Sequence, residues 1–438
     1  MMRSRWCNQT FFCVIIGVLM TVAVLPNNGR CQDKASPGWN KDPSFFPILC
    51  WDPQHGWNNQ HVKRSHGLES IAACHFNVAG FVHTKDIAVC EKLGLKAFAY
   101  GDTDSVTLRQ WNKMWDNCAL TDAGIEEKIR KMVKRTGNSE SVIGYYICDE
   151  PGASMFPRLA KAVEYVRKYA PGKLAYINLF PSYATLGAPD KSQLETKTYA
   201  EYLDRFVTEV KPQVLSYDNY MTQFSMDLSQ KPKARSYYQN LLAVRRAAVK
   251  HRLPFWNIVS SNQIRSFTTI PSPANLRFQA YTTLAAGGRG VTWFTYYARA
   301  YAYAPINADG HKTLTWYFLK DVNRQLSLLG PIMNGMTSTG VYFTSPPPVE
   351  SLPVLPGKLV RQVDAKAPMM VGEFNDKDGR EYAMVVNLSL RESVRFKIVT
   401  QGNRKEISVM SPADGKPNPL DNSKGYWLVA GQGVLLKL

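Results

Sequence analysis

Eight times between residues 48 and 295, a short apolar run is followed by a longer helical stretch. The apolar runs are Ile48–Trp51, Val78–Val82, Lys96–Tyr100, Val142–Cys148, Leu174–Leu179, Val214–Tyr217, Phe255–Val259 and Gly290–Thr295. The intervening segments, such as Ala123–Lys134, Phe156–Tyr169 and Ala234–His251, have the length and periodicity of helices. Short strands alternating with helices imply βα units and a parallel sheet. Eight such units in this span match a (β/α)8 TIM barrel, set here at residues 45–335. An open doubly wound sheet is the competitor. It would carry a glycine-rich phosphate turn after its first strand. The sequence there, Cys50-Trp51-Asp52-Pro53, is nothing like one.

The pattern changes after Gly330. Ser345-Pro346-Pro347-Pro348 and the Pro353/Pro356 region read as a stiff connection. Six short alternating segments then follow: Met369–Phe374, Tyr382–Leu388, Val394–Val399, Glu406–Met410, Gly425–Val429 and Gly433–Leu438. Their spacing predicts a small antiparallel β-sandwich over 340–438.

Arg3 and Arg5 precede an apolar run from Phe11 to Leu25, broken by Pro26-Asn27-Asn28-Gly29. This is the pattern of a secretory signal peptide, set at 1–31, rather than of a span, which needs about 20 apolar residues. The expected location is therefore outside the cytoplasm: periplasm, medium or cell surface. No later stretch is long and apolar enough to span a membrane. Six of the 8 cysteines, Cys31, Cys50, Cys74, Cys90, Cys118 and Cys148, remain near or after the cut. They allow three disulfides or a set of buried thiols. No Cys/His spacing suits zinc, so neither a metal nor an organic cofactor is expected. Gly-x-Ser-x-Gly is absent, against a serine hydrolase. No Lys/Arg run with interleaved aromatics supports a nucleic-acid partner.

In a (β/α)8 barrel, function sits at the C-terminal ends of the strands. Those ends carry Trp51, Asp52, His55 and Trp57, then His83, then Asp102 and Asp104. Asp149 and Glu150 follow the fourth strand, and Asn178 ends the fifth. Asp218, Asn219 and Tyr220 follow the sixth; Asn257, Asn262 and Gln263 surround the seventh; Trp293, Tyr296 and Tyr297 end the eighth. Sugar rings stack their C–H faces on aromatics and need amides and carboxylates around their hydroxyls. Glycosidic cleavage needs a carboxylic acid for the leaving oxygen and a second carboxylate as nucleophile or base. The expected substrate is an oligo- or polysaccharide. The expected contacts are Trp51, His83, Asp102, Asp149, Asn178, Tyr220, Asn257, Gln263, Trp293 and Tyr296.

Gly144-Tyr145-Tyr146-Ile147-Cys148-Asp149-Glu150-Pro151-Gly152 resembles the fourth-strand motif of the β-galactosidase-like glycoside hydrolases of family 42 and the wider clan A. In that clan the Glu of the motif is the acid/base, which the resemblance assigns to Glu150. Asp149 stands where the clan often has Asn, a contact to the sugar 2-hydroxyl. Trp293 matches the aromatic end of strand eight. The chain departs from the clan at strand seven, where the nucleophile Glu is expected and Ser260-Ser261-Asn262-Gln263 stands instead. Asp218 then replaces that Glu as nucleophile, or it holds a water in an inverting reaction, or the barrel binds sugar without cleaving it. Asp102 and Asp104 are further candidates for the second carboxylate.

Charge points to the kind of glycan. Three arginines and no acid lie in 1–32, and 340–438 holds 13 basic and 10 acidic residues, leaving +12 of the chain's +18 on 33–339. A positive barrel attracts sulfated or uronic polymers if its charge reaches the cleft. If the charge sits on outer helix faces such as Lys128–Arg135, it has no such consequence.

Overall fold

A computed structural model describes residues 42, 44–51, 67–185, 192–225, 227–298, 301–404 and 406–438. The expected signal peptide, and Asp52, His55 and Trp57, lie outside these residues.

Eight parallel strands close into a barrel in sequence order. They are β1 (Ile48–Cys50), β2 (Val78–Val82), β3 (Lys96–Ala99), β4 (Val142–Asp149), β5 (Leu174–Leu179), β6 (Leu215–Asp218), β7 (Phe255–Ser260) and β8 (Val291–Phe294). Ile48 pairs with Val291 to shut the ring. The strands are buried along almost their whole length, as a sheet covered on both faces requires. Aromatic rings fill the interior: Trp51 meets Phe81 at 4.7 Å, Phe81 meets Tyr146 at 4.3 Å, and Tyr176 lies 4.6 Å from Phe98 and 5.7 Å from Trp256. Edge-on and offset ring contacts of this kind pack a barrel solid rather than leaving a pore.

The chain then forms two antiparallel sheets, a β-sandwich on the barrel's flank. Strands β9 (Met336–Phe343), β10 (Val360–Ala365), β11 (Met369–Asp376), β12 (Glu381–Asn387), β13 (Val394–Thr400), β14 (Ser408–Met410), β15 (Pro417–Pro419), β16 (Tyr426–Leu428) and β17 (Gly433–Lys437) follow in order. One sheet runs β15-β14-β17-β12-β11-β9 and the other β10-β13-β16. Strands β11, β12 and β17 of the six-stranded sheet are buried on both faces, and strand alternation divides their side chains. Met370, Phe374, Met384, Val386 and Leu435 join the barrel core, while Val371, Ala383, Val385, Val434 and Leu436 face the three-stranded sheet. Gly372 lies where the sheet touches helix Pro273–Ala285, and a Cβ there would collide with the Ala285 carbonyl.

Strands β9, β10 and β15 were not expected. Ser, Thr and Gly dilute the apolar pattern in β9, and two prolines bracket β15. Among the described residues Cys50, Cys74, Cys90 and Cys148 are buried free thiols and Cys118 is an exposed one; Cys31 lies outside these residues.

Glu373 is a buried carboxylate with a structural task. One oxygen accepts the Leu359 and Val360 N–H groups at 2.9 and 2.8 Å, and the other accepts Lys358 N–H at 3.0 Å. It thereby satisfies the backbone entering β10. Glu373→Gln replaces one acceptor with a donor facing an N–H. It should cost about 1–3 kcal/mol in urea unfolding, with no change in the barrel's activity.

Candidate active site

The C-terminal mouth of the barrel gathers three carboxyl groups. β4 delivers two of them. A register shift against β5 between Tyr146 and Cys148 resets the alternation of β4 near its end. Asp149 then meets Asn178, whose amide donates to the Asp149 Oδ1 at 2.9 Å. Asn112, on helix Leu108–Lys113, holds the Asp149 backbone: its Oδ1 accepts Asp149 N–H at 2.6 Å and the Tyr146 hydroxyl at 3.1 Å.

Glu150 follows in the left-handed region, at φ +49°. A non-glycine residue there is uncommon and strained by about 1 kcal/mol or more. Its neighbours hold it. Glu150 N–H donates to the Asn178 carbonyl at 2.9 Å, Ala153 N–H to the Leu194 carbonyl at 3.1 Å, and Tyr202 Oη to the Pro151 carbonyl at 2.7 Å. The Glu195 carboxylate accepts Ser154 N–H at 2.6 Å and packs against Gly152. Glycine would relieve the strain at position 150, but it would remove the carboxyl.

Asp218 ends β6, 3% exposed, with its Oδ1 unpartnered. Alternation along β6 puts Ser216 and Asp218 on the inner face and Tyr217 on the outer one. Ser216 accepts from the Tyr176 hydroxyl at 2.9 Å and donates to the Asn178 Oδ1 at 3.1 Å. Asn178 therefore links the two strand ends, donating to Asp149 and accepting from Ser216, two residues before Asp218.

Burial raises the pKa of all three acids above the ordinary carboxylate range. Glu150 is raised furthest, first by burial, then by the charges of Asp218 and Asp149, and by a hydrogen bond to Asp218 that favours its protonated form. Asp218 is raised by burial and by Asp149, and is held back by backbone, Tyr220 and Asn178 hydrogen bonds. Asp149 is raised least, because Asn178 supports its charge. Mutual repulsion among acids spreads their titrations apart, which leaves Glu150 as the proton holder.

Of the expected contacts, Asn178, Asp149 and Tyr220 belong to this cluster. Trp51 packs into the barrel interior beside it. His83 is buried at the end of β2, 3.1 Å from the Tyr100 hydroxyl. The remaining expected contacts turn elsewhere, Asn257 and Trp293 because strand alternation puts them on the outer face and the others in loops beyond the strand ends. Asn257 donates to Thr283 Oγ1 at 2.8 Å on the outer helix. Trp293 donates to Asn323 Oδ1 at 2.8 Å, so Phe294 is the inward residue at the end of β8. Tyr296 bonds Ser70 and Trp316 outside the barrel. Gln263 binds the carbonyls of Ser266 and Thr268 within its own loop. Asp102 pairs with Lys128 at 2.9 Å and Asp104 pairs with Arg135, so each already has a cationic partner. Asn112, Ser216, Phe294 and Tyr183, whose hydroxyl accepts Tyr220 N–H at 3.4 Å, were not anticipated. Counting two back from Asp218 would have found Ser216; Asn112 and Tyr183 reach the site from a helix and a 3-10 turn. Among the described residues, no group of three His, Cys, Asp or Glu side chains could hold a metal ion.

No family model matches the chain, and no curated protein matches it. Solved structures do. A catalytic mutant of a family 42 β-galactosidase from G. stearothermophilus superposes with a TM-score of 0.62 at 8% identity, over 91% of this chain and 98% of that one. A family 5 glycoside hydrolase from Bacteroides vulgatus superposes with a TM-score of 0.51 at 14% identity, over 90% of this chain and 88% of that one. The chain thus shares its fold, over about nine-tenths of its length, with these two glycoside hydrolases.

Proposed function

We propose that the protein is an exported glycoside hydrolase whose general acid is Glu150 and whose second carboxylate is Asp218. One observation supports this above the rest: two acids from different strands meet at the barrel mouth, one of them biased toward its protonated form. A glycosidase-like fold adds to it. Glu150 donates its proton to the glycosidic oxygen as the bond to the anomeric carbon breaks. The ionised form of Asp218 attacks that carbon and forms a glycosyl ester; burial holds its pKa at about 8, so the step gains as pH rises toward that value. Glu150, now ionised, takes a proton from water, which displaces Asp218 and releases the sugar. Asn178 and Tyr220 beside Asp218 favour its charged form.

The charge of Asp218 acts directly on Glu150, so the two carboxyls stand close together. Close carboxyls suit a retaining reaction, whose acids are about 5–5.5 Å apart. Retention of configuration is the expected outcome. The absence of a carboxylate at the end of β7 favours a second reading, a barrel that binds sugar without cleaving it. Incubation with a panel of neutral and acidic oligo- and polysaccharides separates the two, with new reducing ends assayed and their anomers followed by NMR. Release of product with retained configuration is expected. Binding without product from any glycan would overturn the hydrolase reading, and an inverted first product would remove Asp218 as nucleophile.

A further inference from the structure

The loop after β7 is tied down from beneath and bare on top. Gln223, five positions beyond Asp218, sits under it. Its Oε1 accepts the Thr268 hydroxyl at 2.9 Å and Ile264 N–H at 3.2 Å, and its amide donates to the Asn262 carbonyl at 2.6 Å. Thr269 N–H donates to the Gln223 carbonyl at 2.9 Å. Gln263 Nε2 donates to the Thr268 carbonyl at 2.7 Å, and Arg265 N–H to Thr268 Oγ1 at 3.2 Å. Thr268 is buried by these bonds, while Arg265, Ser266 and Phe267 at the tip are exposed, Phe267 to 80%. The ring of Phe267 thus lies in water at the tip of a loop fixed by its own hydrogen bonds.

The tip stands on the same end of the barrel as Glu150 and Asp218. Gln263 exchanges backbone hydrogen bonds of 2.8 and 3.2 Å with Ala302, which joins the β7 and β8 loops. Tyr303, next to Ala302, is 51% exposed and sits at φ +55°. Partly buried rings connect this edge to the acids: Tyr220, bonded to Asp218, lies 5.3 Å from Phe294, and Phe294 lies 5.5 Å from Tyr301.

We infer that the tip of the β7 loop binds a further sugar of an acidic polysaccharide, with Phe267 stacked on the ring and Arg265 paired with its carboxylate or sulfate. This rests on the glycosidase reading and gives its substrate class. An aromatic ring with few rotatable bonds suits the C–H face of a sugar, and a planar guanidinium suits an oxyanion. The acidic group belongs here, because the inner site is built of carboxyls and repels a second negative charge.

The test is binding in the Glu150→Gln background, where substrate survives. Native gels containing polygalacturonate, chondroitin sulfate or neutral galactan compare that variant with versions also carrying Phe267→Ala or Arg265→Ala. Retardation by at least one acidic polymer is expected. Phe267→Ala should weaken it by about fivefold to tenfold, and Arg265→Ala should abolish the preference for acidic polymer over galactan. Both side chains are exposed, so thermal melting should not change. Retardation indifferent to Phe267→Ala, or none with either acidic polymer, would overturn the inference. Since no hydrolysis is measured, failure here is distinct from failure of the reaction, which the product assay judges alone.

Discussion

Glu150→Gln is expected to slow hydrolysis of a natural glycan by at least about 10²-fold, the usual worth of a positioned general acid. The amide keeps the shape of the side chain and its hydrogen bonding, but it has no proton to give the leaving oxygen. The loss should depend on the leaving group. An aryl glycoside whose phenol leaves readily needs little protonation, so its first step should suffer far less than that of an alkyl or sugar leaving group. A plot of log(kcat/KM) against leaving-group pKa should therefore be steeper in the variant than in the wild type. An equal loss across the series would assign Glu150 to binding rather than proton transfer. Undiminished rates in a folded variant would remove it from the reaction. Asp218→Asn differs in kind: it removes the attacking oxygen's charge, so it should suppress all leaving groups alike.

Barrel architecture was legible because each βα unit prints its own period, and the strand ends are readable once the strands are placed. Strands β2 and β5 fall on the expected residues, and β6 shifts by one, from Val214–Tyr217 to Leu215–Asp218. That one residue matters, since it makes Asp218 the last residue of the strand and fixes the side it faces. The site was only partly legible for the same reason. Residues were nominated by nearness to a strand end, whereas alternation decides which reach the mouth. Asn257 and Trp293 lie on the outer face, while Ser216 and Phe294 face inward. The bulge in β4 breaks simple alternation just before Asp149, so counting alone would misplace the acids most relevant to the chemistry. Long-range supports such as Asn112 under Asp149 and Gln223 under the β7 loop have no local signature. They arise from loops that meet only when the barrel closes. The charge reading divided similarly. The groups acting on the three acids are carboxyls, an amide, a phenol and backbone, so the +12 of residues 33–339 lies elsewhere on the barrel.

Replacing both acids should make the protein more stable as it makes it inactive. A carboxyl whose pKa is higher in the folded chain than in the unfolded one holds its proton more tightly when folded. Its ionisation therefore favours unfolding. The stability tied to Glu150 and Asp218 is full below about pH 4, where both states are protonated. It drains away as pH climbs from there through their raised folded values. The double variant Glu150→Gln/Asp218→Asn carries no charge at either position and escapes this loss. In urea at pH 8 it should be more stable than the wild type by about 3 kcal/mol, since each tenfold gain in proton affinity on folding is worth about 1.4 kcal/mol and relaxation of a buried site absorbs part of it. At pH 4 the two proteins should differ little, so the gain should open progressively between those values. Parallel stability curves from pH 4 to 8 would mean that the two carboxyls titrate normally in the folded protein. A double variant less stable than wild type at every pH would mean that the carboxylates are held by favourable contacts rather than strained. Either result would take away the physical basis for Glu150 as a standing acid at neutral pH, because the burial that destabilises the fold is the same burial that keeps its proton in place.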